Sequence, residues 1–219
     1  MNIMNRKSLA KLYNSLTMIK LCNHYQYNFT TSSSLSSHII LFYEKGLEVV
    51  GVEFVEKPVK KFFTQHNLKY EVKEIDEKTT LDKRLKIYVS DFLDVHANDI
   101  GKFDVIWDRL AQVALEPCNR EKYSNLMKTL CKDEFTYFLF TLQFEKPGNP
   151  DIAPISVSHE ESKKMYGGWC KMKFVFQKDA MEDIPFVRRS GIEEIFENES
   201  SFLKATSSST QNGFLLNHN

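Results

Sequence analysis

Read for apolar and polar positions, the chain from residue 41 onward alternates short β-branched runs with helix-periodic segments. Residues 47–53, LEVVGVE, make a β-branched run entered after Gly46 and closed by a carboxylate, which reads as a strand. Residues 56–67 carry Pro58 near a first turn, where proline is tolerated, with Val55, Val59, Phe62 and Phe63 on one face, and this predicts a helix. Strands are predicted at 85–90 and 103–107, then a helix at 119–132 with Tyr123, Leu126, Met127 and Leu130 on one side. Residues 134–144 read as a long aromatic strand, too apolar for an exposed edge. A loop bearing proline and glycine spans 145–158, because proline cannot continue a sheet. Residues 159–166 read as a short helix capped by Ser158 and ended by Gly167-Gly168. Residues 170–177 alternate as a strand, and 192–198 read as a last helix. Strands alternating with helices predict an α/β fold with a doubly wound parallel sheet.

The two ends of the chain depart from this pattern. No glycine precedes Gly46, and a serine and threonine run at 30–37 reads as a flexible loop. Residues 8–22 place Leu9, Leu12, Leu16 and Ile19 at helical spacing. Residues 207–219 are polar and are expected to be disordered. The expected organisation is therefore a divergent N-terminal segment at 1–40, one α/β domain at 41–203, and a disordered tail at 204–219. A chain of 219 residues holds one such domain with a sizeable core.

Charge and cysteine usage narrow the partners. Lysine plus arginine equals aspartate plus glutamate at 29 each, which argues against a general nucleic-acid binder. Lys57, Lys60 and Lys61 read as a solvated helix face. None of the four cysteines pairs at Cys-x-x-Cys spacing, so neither a zinc site nor a disulfide framework is expected, and a reducing, cytoplasmic setting is the simplest reading. No apolar run approaches the ~20 residues of a membrane span, and Lys7, Lys11 and Lys20 interrupt the stretch that a signal peptide would need.

Candidate chemistry gathers at strand ends. In open α/β sheets, ligands bind outside the carboxyl ends of the strands, and an acid ending the second strand commonly accepts ribose hydroxyls. Glu53 fits that position. Asp91-Phe92 would offer an adenine an acceptor and a stacking face. Trp107, Asp108 and Arg109 in succession suit the mouth of a sheet better than its interior. The alternative for each acid is an ordinary solvated carboxylate, and for Asp108-Arg109 a local ion pair capping the strand exit. The sequence has no Gly-x-Gly-x-x-Gly turn, no phosphate-cradling glycine loop and no Gly-x-Ser-x-Gly elbow, which removes nicotinamide, kinase and acyl-transfer chemistry of those types. His159 reads as a surface residue at a helix start. Cys118, beside Pro117, reads as a turn residue with no basic neighbour to activate it.

Residues 46–68, GLEVVGVEFVEKPVKKFFTQHNL, and 100–109, IGKFDVIWDR, resemble the thiopurine S-methyltransferase family. The similarity continues through the Tyr123 helix, the 135–142 strand, Cys170, Asp179-Ala180 and 191–196. The resemblance implies a Rossmann-like sheet that binds S-adenosyl-L-methionine. It also implies methyl transfer to the sulfur of a small aromatic or heterocyclic thiol by a monomer, with no nucleic-acid or membrane partner. By that resemblance Glu53 holds the ribose diol, and Asp91 and Phe92 border the adenine. Arg109 lies near both the methionine carboxylate and the substrate thiolate, where a guanidinium favours thiolate over thiol. Ile152, Ala153 and Pro154 belong to a proline-rich stretch over the acceptor pocket.

The chain also departs from the family. The first strand and its glycine turn have no counterpart and read as missing or replaced. The family's upstream tryptophans are absent, since Trp107 and Trp169 both come later. Leu110 replaces the glycine that follows the arginine, Ile184 falls where a second active-site arginine is expected, with Arg188 and Arg189 nearby, and Ser200-Ser201 interrupts the closing strand. Two readings follow: an S-methyltransferase with an unusual N-terminus, or an impaired or inactive relative lacking the N-terminal half of the cofactor site.

Overall fold

The computed structural model describes residues 17–22, 36–72, 77–144, 155–179 and 210–218. Within them lie strands β1 (Thr17–Cys22), β2 (Glu48–Glu53), β3 (Tyr70–Val72), β4 (Glu77–Thr80), β5 (Leu85–Val89), β6 (Phe103–Arg109), β7 (Cys131–Gln143), β8 (Cys170–Asp179) and β9 (Thr210–His218). The helices are α1 (Ser36–Glu44), α2 (Glu56–Gln65), α3 (Ala97–Ile100), α4 (Pro117–Leu130) and α5 (His159–Tyr166). The strands form one sheet in the order β3-β4-β5-β2-β1-β6-β7-β9-β8.

Local chemistry explains several boundaries. Gly46 ends α1 at φ +91°: its N–H reaches the Tyr43 carbonyl at 3.0 Å while Leu47 N–H reaches Phe42 at 3.2 Å, the paired closure that a left-handed glycine permits. Gly51 lets α1 lie close on β2, since a Cβ there would meet Ile39 Cδ1 at 3.2 Å. Asn67, at φ +51°, closes α2 as Leu68 N–H returns to Phe63. The Ser158 hydroxyl accepts the Glu161 N–H at 3.0 Å and caps α5, as its sequence predicts.

The core has two layers, one on each face of the sheet. On one face Ile39 of α1 and Val59, Phe62 and Phe63 of α2 pack on Val49, Ile87 and Val105. On the other, Tyr123, Met127 and Leu130 of α4 and Tyr166 of α5 pack on Ile106, Tyr137, Leu139, Phe214 and Leu216. Val55, expected on the buried face of α2, stands at the helix N-cap and is exposed.

Several expectations are corrected. The first strand is present: β1 pairs in parallel with β2 through Thr17–Glu48 to Cys22–Glu53, and with β6 through Met18–Val105 to Lys20–Trp107. Helical spacing misleads here because a slot between two parallel strands presents unpaired backbone groups on both sides, and pairing them outweighs local periodicity. The turn after β1 lies outside the described residues, as do 8–16 of the expected N-terminal helix. Ser36 and Ser37, read as loop, open α1. The tail read as disordered contains β9, which pairs antiparallel with β7 on one side and β8 on the other. Asn212, Phe214 and Leu216 alternate inward along it. The sheet is mixed rather than wholly parallel: β5, β2, β1, β6 and β7 are parallel, whereas β3, β4 and β9 run against their neighbours. The expected helix at 192–198 and the Ser200-Ser201 interruption lie outside the described residues.

Candidate functional site

The chain winds outward from β1 in both directions, with β2 and β5 on one side and β6 and β7 on the other. Such a switch point, at the carboxyl ends of the strands, is where open α/β sheets bind ligands. Register sets Cys22 beside Glu53 and Glu53 beside Val89, while Lys20 faces Trp107. The ends of β1, β2, β5 and β6 therefore share one edge, and Glu53, Asp91, Phe92 and Arg109 all lie along it.

Glu53 is not a solvated strand-end acid. It is 0% exposed, and its Oε1 accepts the Val55 N–H at 3.2 Å. Its carbonyl accepts the Ser90 N–H at 3.1 Å, which brings the residue after β5 alongside and carries the chain to Asp91. Asp91 starts a single 3-10 turn at Phe92–Asp94, with Oδ1 accepting the Leu93 N–H at 2.9 Å. Phe92 is buried, and its ring packs on Tyr123 with centroids 5.1 Å apart. That ring belongs to the core and presents no open stacking face.

Arg109 ends β6 opposite Phe140 and is half-buried. Among the described residues its side chain makes no hydrogen bond or ion pair. The alternative of an Asp108–Arg109 pair is thereby set aside, because Asp108 turns to the opposite face. There it is fully buried, accepting the Tyr123 hydroxyl at 2.8 Å, the Tyr137 hydroxyl at 2.7 Å and the Ala111 N–H at 3.2 Å. Burial raises its carboxyl to about 6, against the lowering effect of those three donors. The Tyr137 and Tyr166 hydroxyls lie 3.3 Å apart, and Tyr166 also accepts from Gln112 Nε2. All three tyrosines are held well above the ordinary phenol range, first by burial and then by the nearby carboxylate.

This network was missed in the sequence. Its signal was a tyrosine at position 137 on the inward face of an otherwise apolar strand, since a buried phenol needs a partner for its hydroxyl. Leu110, flagged as replacing a glycine, takes a left-handed conformation at φ +65° with its N–H on the Phe140 carbonyl at 3.0 Å. That is the backbone geometry for which glycine carries no steric penalty.

Ile152, Ala153, Pro154 and Ile184 lie outside the described residues. The stretch just after Pro154 is firmly tied down. Ile155 N–H reaches the Val113 carbonyl at 2.6 Å, and Val157 N–H reaches Leu142 at 2.9 Å. The buried Arg120 of α4 pairs with Glu161 of α5 and donates to the carbonyls of Ile155 and Ser156, each at 3.2 Å. His159 stacks on Phe174 of β8, with centroids 5.5 Å apart.

Known proteins resemble this chain in sequence and in fold. Residues 35–204 match the family profile described as thiopurine S-methyltransferase. The thiopurine S-methyltransferase of Bos taurus is 33% identical over 162 residues, covering 71% of this chain and 65% of that protein. That of Equus caballus is 33% identical over 148 residues, covering 65% of this chain and 60% of that protein. The chain thus spans less than two thirds of the length of these relatives. Among solved structures, a mycolic acid cyclopropane synthase complexed with S-adenosylhomocysteine superposes with TM-score 0.58 at 11% identity, covering 96% of this chain and 82% of that one. The 1,6-didemethyltoxoflavin-N1-methyltransferase of Burkholderia thailandensis superposes with TM-score 0.55 at 13% identity, covering 96% and 74%. At such identities these two show a shared fold, the Rossmann-like methyltransferase sheet. The profile match takes in most of the sequence, and by it the chain belongs to the thiopurine S-methyltransferase family.

Proposed function

We propose that this chain binds S-adenosylmethionine across the β1–β6 switch point and transfers its methyl group to the sulfur of a small aromatic or heterocyclic thiol. The observation that carries the reading is Arg109, a half-buried guanidinium at the mouth of the sheet that makes no hydrogen bond or ion pair among the described residues. A partly desolvated cation so placed stabilises an anion brought to it, here the methionine carboxylate and the acceptor thiolate.

The donor set fits the cofactor. Glu53 is an acceptor-only carboxylate, fully buried at the end of the second parallel strand, which is what a ribose diol requires. Asp91, at the end of β5, would border the adenine. Phe92 would do so only through its backbone, because its ring is committed to the core. When bound, S-adenosylmethionine supplies a methyl group on a sulfonium, a good leaving group. The protein must align the acceptor sulfur in line at roughly 3 Å and exclude water. Ile152, Ala153 and Pro154 would cover the acceptor, and Arg120 anchors the chain that follows them. The same reading makes the enzyme cytoplasmic and monomeric.

A second reading draws on Leu110. A leucine stands left-handed beside Arg109 where the family carries glycine, and a side chain that intrudes on the mouth there would make the chain an impaired relative. Calorimetric titration with S-adenosylhomocysteine separates the two, with Glu53→Gln as control. Micromolar binding that is lost in the control supports the enzyme, and a panel of aromatic thiols then identifies the acceptor. A folded chain that takes up no S-adenosylhomocysteine is the impaired relative.

A further inference from the structure

The last two residues of β6 point to opposite faces of the sheet. Asp108 joins the layer under α4 and α5, and Arg109 stands on the other face at the mouth. The turn that follows is held from two sides. On one, Leu110 N–H bonds the Phe140 carbonyl of β7 at 3.0 Å. On the other, Asp108 Oδ1 accepts the Ala111 N–H, and Gln112 donates to Tyr166, whose hydroxyl lies 3.3 Å from that of Tyr137, itself a donor to Asp108. Both residues after Leu110 are thus tied to one buried network, Ala111 by its backbone and Gln112 by its side chain. Leu110 itself carries the strain, at φ +65°. A non-glycine residue persists in that region only where its surroundings over-determine it. Arg109 is the residue immediately before this strained pivot, so the two anchors hold the backbone on its C-terminal side.

We propose that Asp108 is a positioning residue. It holds the Arg109 guanidinium at the mouth of the sheet by fixing the 110–112 turn through Ala111 and through the Tyr137–Tyr166–Gln112 chain. The test below relies on the methyltransferase reading only for its choice of ligand. Tyr123 of the same network also packs on Phe92, so the network reaches the mouth by two routes, and only a loss that depends on Arg109 belongs to the route proposed here.

The experiment is a double-mutant cycle on the full chain: wild type, Asp108→Asn, Arg109→Ala and the double variant, each titrated calorimetrically with S-adenosylhomocysteine. Asparagine keeps the size of the side chain but cannot accept at both oxygens, so it gives up either the Ala111 N–H or the tyrosine hydroxyls. Asp108→Asn is expected to weaken binding by roughly tenfold when Arg109 is present and by less than about twofold when it is absent, the coupling expected of residues that act as a unit. Equal losses in both backgrounds overturn the proposal and leave Asp108 a purely structural group. If wild type binds no S-adenosylhomocysteine, the methyltransferase reading fails separately. The same four proteins then decide by nitrogen-15 NMR, the Arg109 Nε–H signal being assigned by its loss in Arg109→Ala. That signal is expected to be single and dispersed in wild type and to shift or split in Asp108→Asn, and an unmoved signal overturns the proposal. Should Asp108→Asn fail to fold, Tyr137→Phe replaces it, cutting the chain to Tyr166 while leaving the Tyr123 and Ala111 bonds. It is expected to show the same dependence on Arg109 at smaller amplitude, and a background-independent loss counts against the proposal.

Discussion

The Tyr137 hydroxyl donates to Asp108 Oδ2 across 2.7 Å, joining β7 to the end of β6 through two residues with no solvent exposure. Removing that hydroxyl in Tyr137→Phe leaves a buried carboxylate short of one charge-assisted donor, at a cost of about 2 kcal/mol. Urea unfolding at neutral pH should report a loss of that size, and no change would mean that the Tyr123 and Ala111 bonds suffice.

The same carboxyl makes stability depend on pH in an uncommon direction for an acid. Its folded value, about 6, lies above the ordinary 3.8. Between those values the folded state keeps a proton that the unfolded chain has released, so stability falls as pH rises from about 4 to about 6 and the penalty stays constant above. The shift corresponds to about 3 kcal/mol. Wild type should therefore lose more unfolding free energy across that window than Asp108→Asn does, measured by urea melts at stepped pH. Parallel profiles would mean that the carboxyl titrates normally in the fold.

Leu110 offers a substitution that runs against the usual trend. Its left-handed backbone costs about 1–2 kcal/mol, which glycine avoids while adding about 0.5–1 kcal/mol of chain entropy. Leu110→Gly is expected to leave thermal stability unchanged or slightly raised. Leu110→Ile, branched at Cβ, should lower it by at least about 1 kcal/mol. A large loss in the glycine variant would show that the half-buried leucine side chain matters more than its backbone.

Arg120 holds α4, α5 and the 155–156 carbonyls together from a buried position. Arg120→Met keeps much of the volume but strands two carbonyls and the Glu161 carboxylate, which hydrates in part because it is 36% exposed. A loss of about 2–3 kcal/mol is expected in denaturant unfolding. Arg120→Lys should recover little of it, since an ammonium cannot reproduce the planar fork that reaches three acceptors. Full recovery by lysine would reduce the role of Arg120 to its charge.

How much of this was legible in the sequence depended on the reach of each interaction. The strands expected at 47–53 and 103–107, the Pro58 helix and the Ser158 cap are written in neighbouring residues; β2 starts one residue later and β6 runs two residues further, to Arg109, because pairing with β7 carries the strand past Trp107. Glu53 and Arg109 stand out in the sequence because strand ends in this topology are informative by position, and each is the last residue of its strand. β1 is not legible because the helical spacing of Leu9, Leu12 and Leu16 extends to Ile19, while the forces that fix residues 17–22 as a strand come from β2 and β6. β9 reads as a tail because Thr210, Gln211 and Asn212 look solvated, although two neighbouring strands satisfy its backbone. Phe92 could not be assigned to the core without Tyr123. Asp108 could not be assigned its tyrosines, 15 and 29 residues away, from sequence alone.

The place of β9 also governs the order in which the sheet can close. Among the described strands, β8 pairs only with β9, and β9 is synthesised after it. Until residues 210–218 have left the ribosome, β7 presents an open backbone edge and β8 has no strand to hold it. Phe214 and Leu216 are still missing from the core between them. Such an edge is a template for pairing with other chains. The nascent protein therefore carries an aggregation-prone edge from the emergence of β7 until β9 is in place, and a chain cut before residue 210 is expected to accumulate as an insoluble or chaperone-bound species rather than as a smaller folded domain.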